Sequence, residues 1–298
     1  METRGVLLTV AYDGERFSGW ATQRPHALRA ADSPSARPQD GAVRTVHDVL
    51  AAAIASMDPG ASGPRGVSRT DAGVHAEGQV AAFDTTRDID SRGWVLGLNA
   101  SLPDDVAVRA ARQVPAGFEP RAAARGKRYR YRLLLDPVRH PLWRGRAWRV
   151  GHPLDLERMA REAARLEGTH DFRAFRSARD ERQNTERTLS RVAIEREGSR
   201  LGPVRGAEPL ELPVPPTSPL RSEVVGIVVE GSAFMHNMVR IIAGALVDVA
   251  RGHLEEGAVT RAIASGQRDE LGQTAPAHGL VLERVELAGI EGGEPWPR

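Results

Sequence analysis

The sequence predicts an α+β fold made of two similar domains, each with an antiparallel sheet and packed helices. Apolar patterns between residues 5 and 114 follow the order strand, helix, strand, strand, helix, strand, which is the ferredoxin-like order. The same order, with one extra helix, can be followed from residue 127 to residue 287. The length of 298 residues also suits two domains better than one. We place the boundary so that the domains span residues 1–115 and 116–298.

The elements of the first half have clear local signals. Residues 5–12 are rich in valine, leucine and threonine and end at a turn, as strands do. Apolar residues at helical spacing from 46 to 57 predict an amphipathic helix, with Thr45 as its N-cap. Ser91 is expected to cap a second helix, which Pro103 would stop. The remaining strands of this half are expected at residues 66–70, 79–84 and 106–114.

The second half contains four more expected strands and three expected helices. The strands are at residues 127–135, 188–197, 223–230 and 279–287. The helices are at residues 155–166, 235–250 and 254–264. Two stretches without apolar periodicity, residues 24–41 and 198–219, are expected to be loop insertions.

The composition excludes several classes of protein. The chain has no cysteine, so disulfides, thiolate metal sites and cysteine nucleophiles are excluded. No phosphate-binding glycine loop, dinucleotide fingerprint or paired-histidine zinc motif occurs, so neither a cofactor nor a metal is expected. No apolar run approaches the roughly 20 residues that span a bilayer. The first residues contain no apolar stretch, so a secretory signal is not expected. A cytoplasmic protein without a membrane partner is expected.

The net charge is weakly positive. Lysine and arginine number 41 against 39 aspartate and glutamate residues, which gives a net charge of +2. A single lysine, Lys127, stands among the positive residues, so almost all of the positive charge is arginine. Arginine suits bidentate contacts with phosphate, but composition alone favours a GC-rich coding bias as the explanation. Any nucleic-acid contact would therefore depend on a local patch.

A run from Ser68 to His75 contains the most promising chemical group, Asp71. Arg69 lies two residues before Asp71, and in an extended segment these two side chains share a face. A neighbouring guanidinium favours the ionised carboxylate, and Gly73 permits a tight turn or a closely approaching ligand. An ionised aspartate on such a loop is a candidate nucleophile or base. The alternative is a purely structural ion pair between Arg69 and Asp71.

The predicted strand that begins at Lys127 alternates between arginine and tyrosine. Alternation places Arg128, Arg130 and Arg132 on one face and the tyrosines on the other. The arginine face is either an exposed charged surface or a contact for RNA. The tyrosine face is either half-buried core or part of a site.

The stretch from Arg69 to His75 resembles the signature loop of TruA-type tRNA pseudouridine synthases. Further matches to that family follow in order over nearly the whole chain. They are Tyr12-Asp13-Gly14 with Phe17, Gly19 and Trp20; Gly78-Gln79-Val80 with Phe83; Gly97-Leu98-Asn99 with Leu102-Pro103; Lys127-Arg128-Tyr129-Arg130-Tyr131; His170-Asp171-Phe172; Phe234 with Met238-Val239-Arg240; and Ala275-Pro276 with Gly279-Leu280. The chain departs from the family pattern at Ser68, where glycine is usual, and at Ala21, where glutamine is usual.

The resemblance implies a role for each matched residue. Asp71 matches the catalytic aspartate of a cofactor-free isomerisation of uridine to pseudouridine. Arg69 matches the loop arginine that helps to hold the target base out of its stack, and Arg240 matches an arginine that pairs with the catalytic aspartate. Tyr129 matches the tyrosine that contacts the target base. Whether the aspartate attacks the ribose, attacks the base or removes a ribose proton is left open.

The resemblance also implies a substrate and an assembly. The substrate is the anticodon stem-loop of tRNA, at uridines 38, 39 and 40, and the enzyme is a homodimer with RNA-recognition-like halves and a catalytic cleft between them. Candidate RNA contacts are Lys127, Arg128 and Arg130. Two alternatives remain: a non-catalytic RNA-binding protein on the same fold, and a pseudouridine synthase that acts on other RNA or other tRNA positions.

Overall fold

A computed structural model describes residues 2–21, 43–177, 183–197 and 223–289 of the chain. These residues form ten strands and six helices, so the predicted α+β class is confirmed. Both expected insertions, residues 24–41 and 198–219, lie outside the described residues. No helix in the described ranges is long and apolar enough to cross a membrane.

The chain divides into two compact units, and each contains separate stretches of sequence. The first unit comprises Met1–Tyr129, Glu230–His236 and Leu280–Arg298. The second comprises Arg130–Val229 and Asn237–Gly279. The boundary predicted between residues 115 and 116 stays a prediction.

A mostly antiparallel sheet forms the centre of the first unit. Strand β1 (Arg4–Tyr12) pairs antiparallel with both β3 (His75–Thr85) and β4 (Val106–Val114). Strand β10 (Leu280–Leu287) pairs with β3 in parallel, which gives the strand order β4-β1-β3-β10. The short β2 (Arg65–Gly66) adds an antiparallel pair with β3.

Two helices pack their apolar side chains against this sheet. Helix α1 (Val46–Met57) begins at the predicted cap, where Thr45 Oγ1 accepts a hydrogen bond from the Asp48 amide at 3.2 Å. The cap predicted for α2 (Ser91–Ser101) is wrong by one residue, because Asp90 Oδ1 accepts from the Gly93 amide at 2.6 Å and Ser91 is the first helical residue. The core between the helices and the sheet consists of buried side chains that include Leu8, Leu50, Ile54, Phe83, Trp94 and Leu98.

The strand expected at residues 66–70 is much shorter than predicted. Only Arg65 and Gly66 pair as a strand with β3, and one further bond joins the Val67 amide to the Val80 carbonyl at 2.9 Å. After Val67 the backbone leaves the sheet edge, because its hydrogen-bonding groups have partners elsewhere. The region of Asp71 is therefore a loop.

A short helix, α3 (Pro120–Ala123), leads into β5 (Ala124–Leu135), and the division between the units falls within β5. In the second unit, β6 (Trp148–Val150) pairs in parallel with the end of β5. The other strands are β7 (Gly168–Asp171), β8 (Glu186–Glu197) and β9 (Glu223–Gly231), in the order β5-β9-β8-β7. The short β6 and β7 were not predicted.

Three helices complete the second unit. They are α4 (Leu156–Ala164), α5 (Met238–Ala250) and α6 (Ala258–Ser265). Helix α5 is apolar on almost every side, and all of its residues except Arg240 are buried. A helix that is apolar all round belongs in a core, so α5 is the central helix of this unit. It starts three residues later than predicted, because Asn237 has a left-handed backbone with φ 63°.

Candidate functional site

Asp71 lies on a loop of residues 67–74, here called the Asp71 loop, which connects β2 to β3. Its backbone is bound to the segment of residues 12–20 that follows β1. The Trp20 amide donates to the Thr70 carbonyl at 3.1 Å, and the Gly73 amide donates to the Phe17 carbonyl at 3.2 Å. A bond of 3.1 Å from the Val74 amide to the Asp71 carbonyl closes the turn. The position of Asp71 is thus fixed from both sides.

Glycines make this close approach of two loops possible. A Cβ atom at Gly19 would lie 2.5 Å from the Thr70 carbonyl oxygen, and one at Gly14 would lie 2.0 Å from the Val74 carbonyl oxygen. Gly19 and Gly73 also have φ values of 95° and 80°, a region that other residues rarely adopt. The family matches around Gly14 and around Gly73 are far apart in the sequence, but the residues lie together in one local structure.

A buried polar network supports the Asp71 loop from below. The Tyr12 hydroxyl and Thr70 Oγ1 are 2.7 Å apart. Gln79 Nε2 donates to the Ser68 carbonyl at 2.7 Å, while its Oε1 accepts from the amides of Ser68 and Val80 at 3.3 and 3.1 Å. Buried amide and hydroxyl groups that are satisfied in this way order a unique conformation.

Tyr129 reaches the same loop from β5. Its side chain is buried, and its hydroxyl oxygen is 3.0 Å from Ser68 Oγ, three residues before Asp71. Burial raises the pKa of Tyr129 to about 12; the hydrogen bond between Tyr129 and Ser68 opposes the rise, and the negative charge of Asp71 adds to it. The phenol is therefore neutral at physiological pH and keeps its proton for a hydrogen bond.

Phe234 forms an apolar wall beside Tyr129. The two ring centroids are 5.0 Å apart at an interplanar angle of 78°, an edge-to-face contact. Phe234 belongs to the segment of residues 232–237 between β9 and α5, here called the β9–α5 segment. The contact brings the β9–α5 segment against the part of β5 that belongs to the first unit.

His236, which was not among the predicted site residues, also lies on the β9–α5 segment. His236 Nε2 is 3.2 Å from Asp71 Oδ1. Both side chains are partly open to solvent, with 38% of His236 and 23% of Asp71 exposed. The only signal in the sequence was its position between the matched residues Phe234 and Met238. The site thus combines a carboxylate, an imidazole and a neutral phenol, which are groups that carry out nucleophilic and acid–base chemistry.

The structural ion pair considered for Arg69 does not form. Arg69 is exposed, and it has no ion pair or hydrogen bond with any residue in the described part of the chain. Its neighbours Ser68 and Thr70 are both buried, so the loop turns the guanidinium outward. This arrangement leaves Arg69 available to a ligand.

Arg240 lies in the first turns of α5, in the second unit. Its Nε donates to the Ala275 carbonyl at 2.8 Å, and its Nη1 donates to Asn237 Oδ1 at 2.7 Å. The Tyr131 hydroxyl donates to the next carbonyl, that of Pro276, at 2.7 Å. Arg240 and Tyr131 together hold the Ala275-Pro276 segment, the last family match in this unit.

The arginines of β5 have acidic partners on their face of the strand. Arg128 forms ion pairs with Glu230 and with Glu283, the latter at 2.8 Å. Arg130 pairs with Glu195 at 2.9 Å and with Glu197 at 3.3 Å. The predicted alternation is confirmed, because Tyr129 and Tyr131 are buried on the opposite face. Lys127, the third candidate RNA contact, is half-buried.

Known proteins of one family resemble the chain over most of its length. A family model described as tRNA pseudouridine synthase matches residues 163–287. The chain is 38% identical to tRNA pseudouridine synthase A of Myxococcus xanthus, over 94% of this chain and 91% of that protein. It is 36% identical to the protein of the same name from Geotalea uraniireducens, over 95% of this chain and 99% of that protein. It is 35% identical to the protein of the same name from Halalkalibacterium halodurans, over 95% of this chain and 92% of that protein. The chain therefore belongs to the tRNA pseudouridine synthase A family, a family of isomerases.

Proposed function

We propose that the protein isomerises uridine to pseudouridine at positions 38, 39 and 40 in the anticodon stem-loop of tRNA, with Asp71 as the catalytic carboxylate and no cofactor. One observation carries the proposal. Asp71 is a partly exposed carboxylate on a loop whose backbone is fixed on both sides, within 3.2 Å of an imidazole. Because tRNA is a cytoplasmic substrate, we place the reaction in the cytoplasm.

The reaction needs little beyond a well-placed carboxylate. The bond from uracil N1 to ribose C1′ breaks, the base turns over, and a bond from C5 to C1′ forms. The proton on C5 is lost and N1 gains one, so no atom or electron is exchanged with a second substrate. Attack on the ribose, attack on the base and removal of a ribose proton all require an ionised carboxylate next to the nucleoside.

The target uridine has to leave its stack before it reaches Asp71. Extrusion of a base costs a few kcal/mol, which contacts with the protein have to offset. We assign this role to Arg69, because its guanidinium is exposed and has no partner in the described part of the protein. We assign the contact with the extruded uracil to Tyr129, whose ring and hydroxyl lie beside Phe234 and Ser68.

Other parts of the proposal rest on the family alone. We propose that Arg240 supports the catalytic carboxylate, that Lys127, Arg128 and Arg130 contact the RNA backbone, and that the protein acts as a homodimer. Arg128 and Arg130 would have to share their guanidinium groups between glutamates and phosphates. Sedimentation of the purified protein tests the dimer, since a monomer at assay concentration contradicts it.

The decisive test is a comparison of the wild-type protein with Asp71→Asn. Each is incubated with unmodified tRNA, which is then labelled with a pseudouridine-selective reagent and mapped, because the isomer has an unchanged mass. We expect label at positions 38, 39 and 40 with the wild type and none with the variant. Melting temperature and tRNA affinity should be nearly equal for the two proteins, because asparagine keeps the shape of the side chain.

Four outcomes would contradict the proposal. Label formed by Asp71→Asn would remove Asp71 from the mechanism. Loss of both stability and binding in the variant would make Asp71 structural. Tight tRNA binding without any label from the wild type would favour a non-catalytic RNA-binding protein, and label at other positions would change the assigned substrate.

A further inference from the structure

We infer that His236 is a positioning residue that holds the Asp71 carboxylate in its reactive orientation; this inference rests on the proposed role of Asp71. The imidazole Nε2 lies 3.2 Å from Asp71 Oδ1, at the long end of the range for a hydrogen bond. An ionised carboxylate has two oxygens with about four positions for hydrogen bonds. A contact at Oδ1 therefore fixes the rotation of the group.

The backbone around His236 is held firmly enough for such a role. Met235, directly before it, is buried. Phe234 packs edge-to-face on Tyr129, with ring centroids 5.0 Å apart. Directly after His236, Asn237 adopts φ 63°, the only positive φ of a residue other than glycine among the described residues. Residues in this region cost free energy and occur where surrounding structure imposes them, often at functional sites.

The exposure of His236 argues against a role in core packing. With 38% of its side chain exposed, the imidazole stands at the surface, where a nucleoside that approaches Asp71 would also meet it. Two roles fit that position. Either His236 orients Asp71, in which case its loss slows the chemical step, or it binds RNA directly, in which case its loss weakens binding. We favour the role of orienting Asp71, because His236 Nε2 already lies 3.2 Å from the Asp71 carboxylate.

Three substitutions separate these roles by the position of a single N–H group. The amide nitrogen of His236→Gln reaches about as far as Nε2, whereas that of His236→Asn ends near the position of Nδ1. His236→Leu has a similar volume and no donor. The measurement is the single-turnover rate at saturating enzyme on an anticodon stem-loop RNA, with the dissociation constant and the melting temperature measured for each variant.

We expect His236→Gln to retain most of the rate, and the Asn and Leu variants to lose about 10–100-fold. The dissociation constant should change less than about threefold, since the carboxylate and not the RNA loses its partner. A wild-type rate in the Leu variant would overturn the inference. So would a common loss of RNA affinity in all three variants, which would assign His236 to RNA binding, or a common loss of stability.

A measurement without RNA distinguishes failure of this inference from failure of the proposed function. The ¹⁵N signals of the imidazoles are recorded for wild type and for Asp71→Asn. We expect the Nε2 signal of His236 to shift with the substitution, while that of His253, whose side chain is 66% exposed and lies beside Asp248, stays in place. An unchanged His236 signal would overturn the contact itself. Absence of pseudouridine with the wild type, together with a shifted signal, would overturn only the proposed reaction.

Discussion

Tyr129 and Tyr131 lie two residues apart on the same face of β5, yet their hydroxyl groups have different partners. The Tyr129 hydroxyl meets Ser68 in the Asp71 loop, whereas the Tyr131 hydroxyl donates to the Pro276 carbonyl. Burial raises the pKa of both phenols, so neither ionises at physiological pH. The two residues are therefore a matched pair for separating function from structure.

We expect Tyr129→Phe to slow turnover by more than its effect on stability, because it removes a hydroxyl from the neighbourhood of Asp71. Tyr131→Phe should leave turnover near normal and lower the free energy of unfolding by about 0.5–1.5 kcal/mol, the value of one hydrogen bond. Single-turnover rates and urea denaturation of both variants provide the measurement. Near-normal turnover of Tyr129→Phe, with a larger loss in Tyr131→Phe, would show that the other tyrosine serves the reaction.

At the scale of elements, α4 and α6 are joined by a buried carboxylate. Helix α6 begins after Gly257, which has φ 90° and provides no side-chain cap. Glu162 of α4 takes that role, since its two oxygens accept from the Gly257 and Val259 amides, both at 2.9 Å. A negative group at a helix N-terminus is favourable, because the first amides lack partners within the helix.

We expect Glu162→Gln to destabilise the protein by about 1–3 kcal/mol, because one carboxylate oxygen becomes an NH₂ group that faces an amide donor. The exposed Glu157, in the first turn of the same helix, is the control, and Glu157→Gln should cost no more than about 1 kcal/mol. Urea denaturation measures both. Equal effects of the two substitutions would contradict the assigned cap.

Elements with strong local patterns could be predicted from the sequence, and contacts between distant segments could not. Thr45 is of a residue type that caps helices, and apolar residues at helical spacing follow it. The start of α1 was therefore predicted correctly. The end of β2 was misplaced, because the bonds that draw residues 68–70 away from the sheet come from Trp20 and Gln79. His236 was missed for a similar reason. Nothing in its neighbours indicates that it meets Asp71, since the two residues are 165 positions apart in the sequence.

At the scale of the whole molecule, several buried or paired carboxylates make stability depend on pH. The Thr85 hydroxyl lowers the pKa of Asp58, and Arg173 lowers that of Asp171. Burial raises the pKa of Asp84, but hydrogen bonds from Arg65 and the Gly117 amide outweigh it and leave a net decrease. Each group therefore binds its proton more weakly in the folded protein than in the unfolded chain.

An aspartate whose pKa is lower in the folded protein than in the unfolded chain stabilises the folded state. This contribution is complete at pH values above the unfolded pKa, which is about 3.9 for aspartate. This stability is lost as the pH falls through the folded value. We expect the free energy of unfolding to be nearly constant from pH 7 to about pH 5 and to fall steadily below about pH 4. Asp84→Asn should flatten part of this decrease. Denaturation curves across this range are the measurement, and an unchanged slope in the variant would contradict the assignment.

The balance of charge also governs how the protein meets RNA. The net charge is only +2, so attraction to phosphate has to come from local arginines. Because binding releases counterions from the RNA, we expect tRNA affinity to fall steeply between 50 and 200 mM salt. Arg69→Gln should reduce the slope of log affinity against log salt concentration by about 1, the change expected when one phosphate contact is lost. Filter binding at several salt concentrations gives the slope, and affinity that hardly changes would contradict an electrostatic interface.

The close approach of Gly14 and Gly19 to the Asp71 loop has a consequence for exchanging parts between relatives. No Cβ atom fits at either glycine, and the backbone bonds from Trp20 and to Phe17 require the loop to keep its shape. Residues 12–20 and 67–74 thus form one structural module, although residues 21–66 separate them in the sequence. A chimera that receives the Asp71 loop of a distant synthase should fold and work only when the matching turn after β1 is transferred with it.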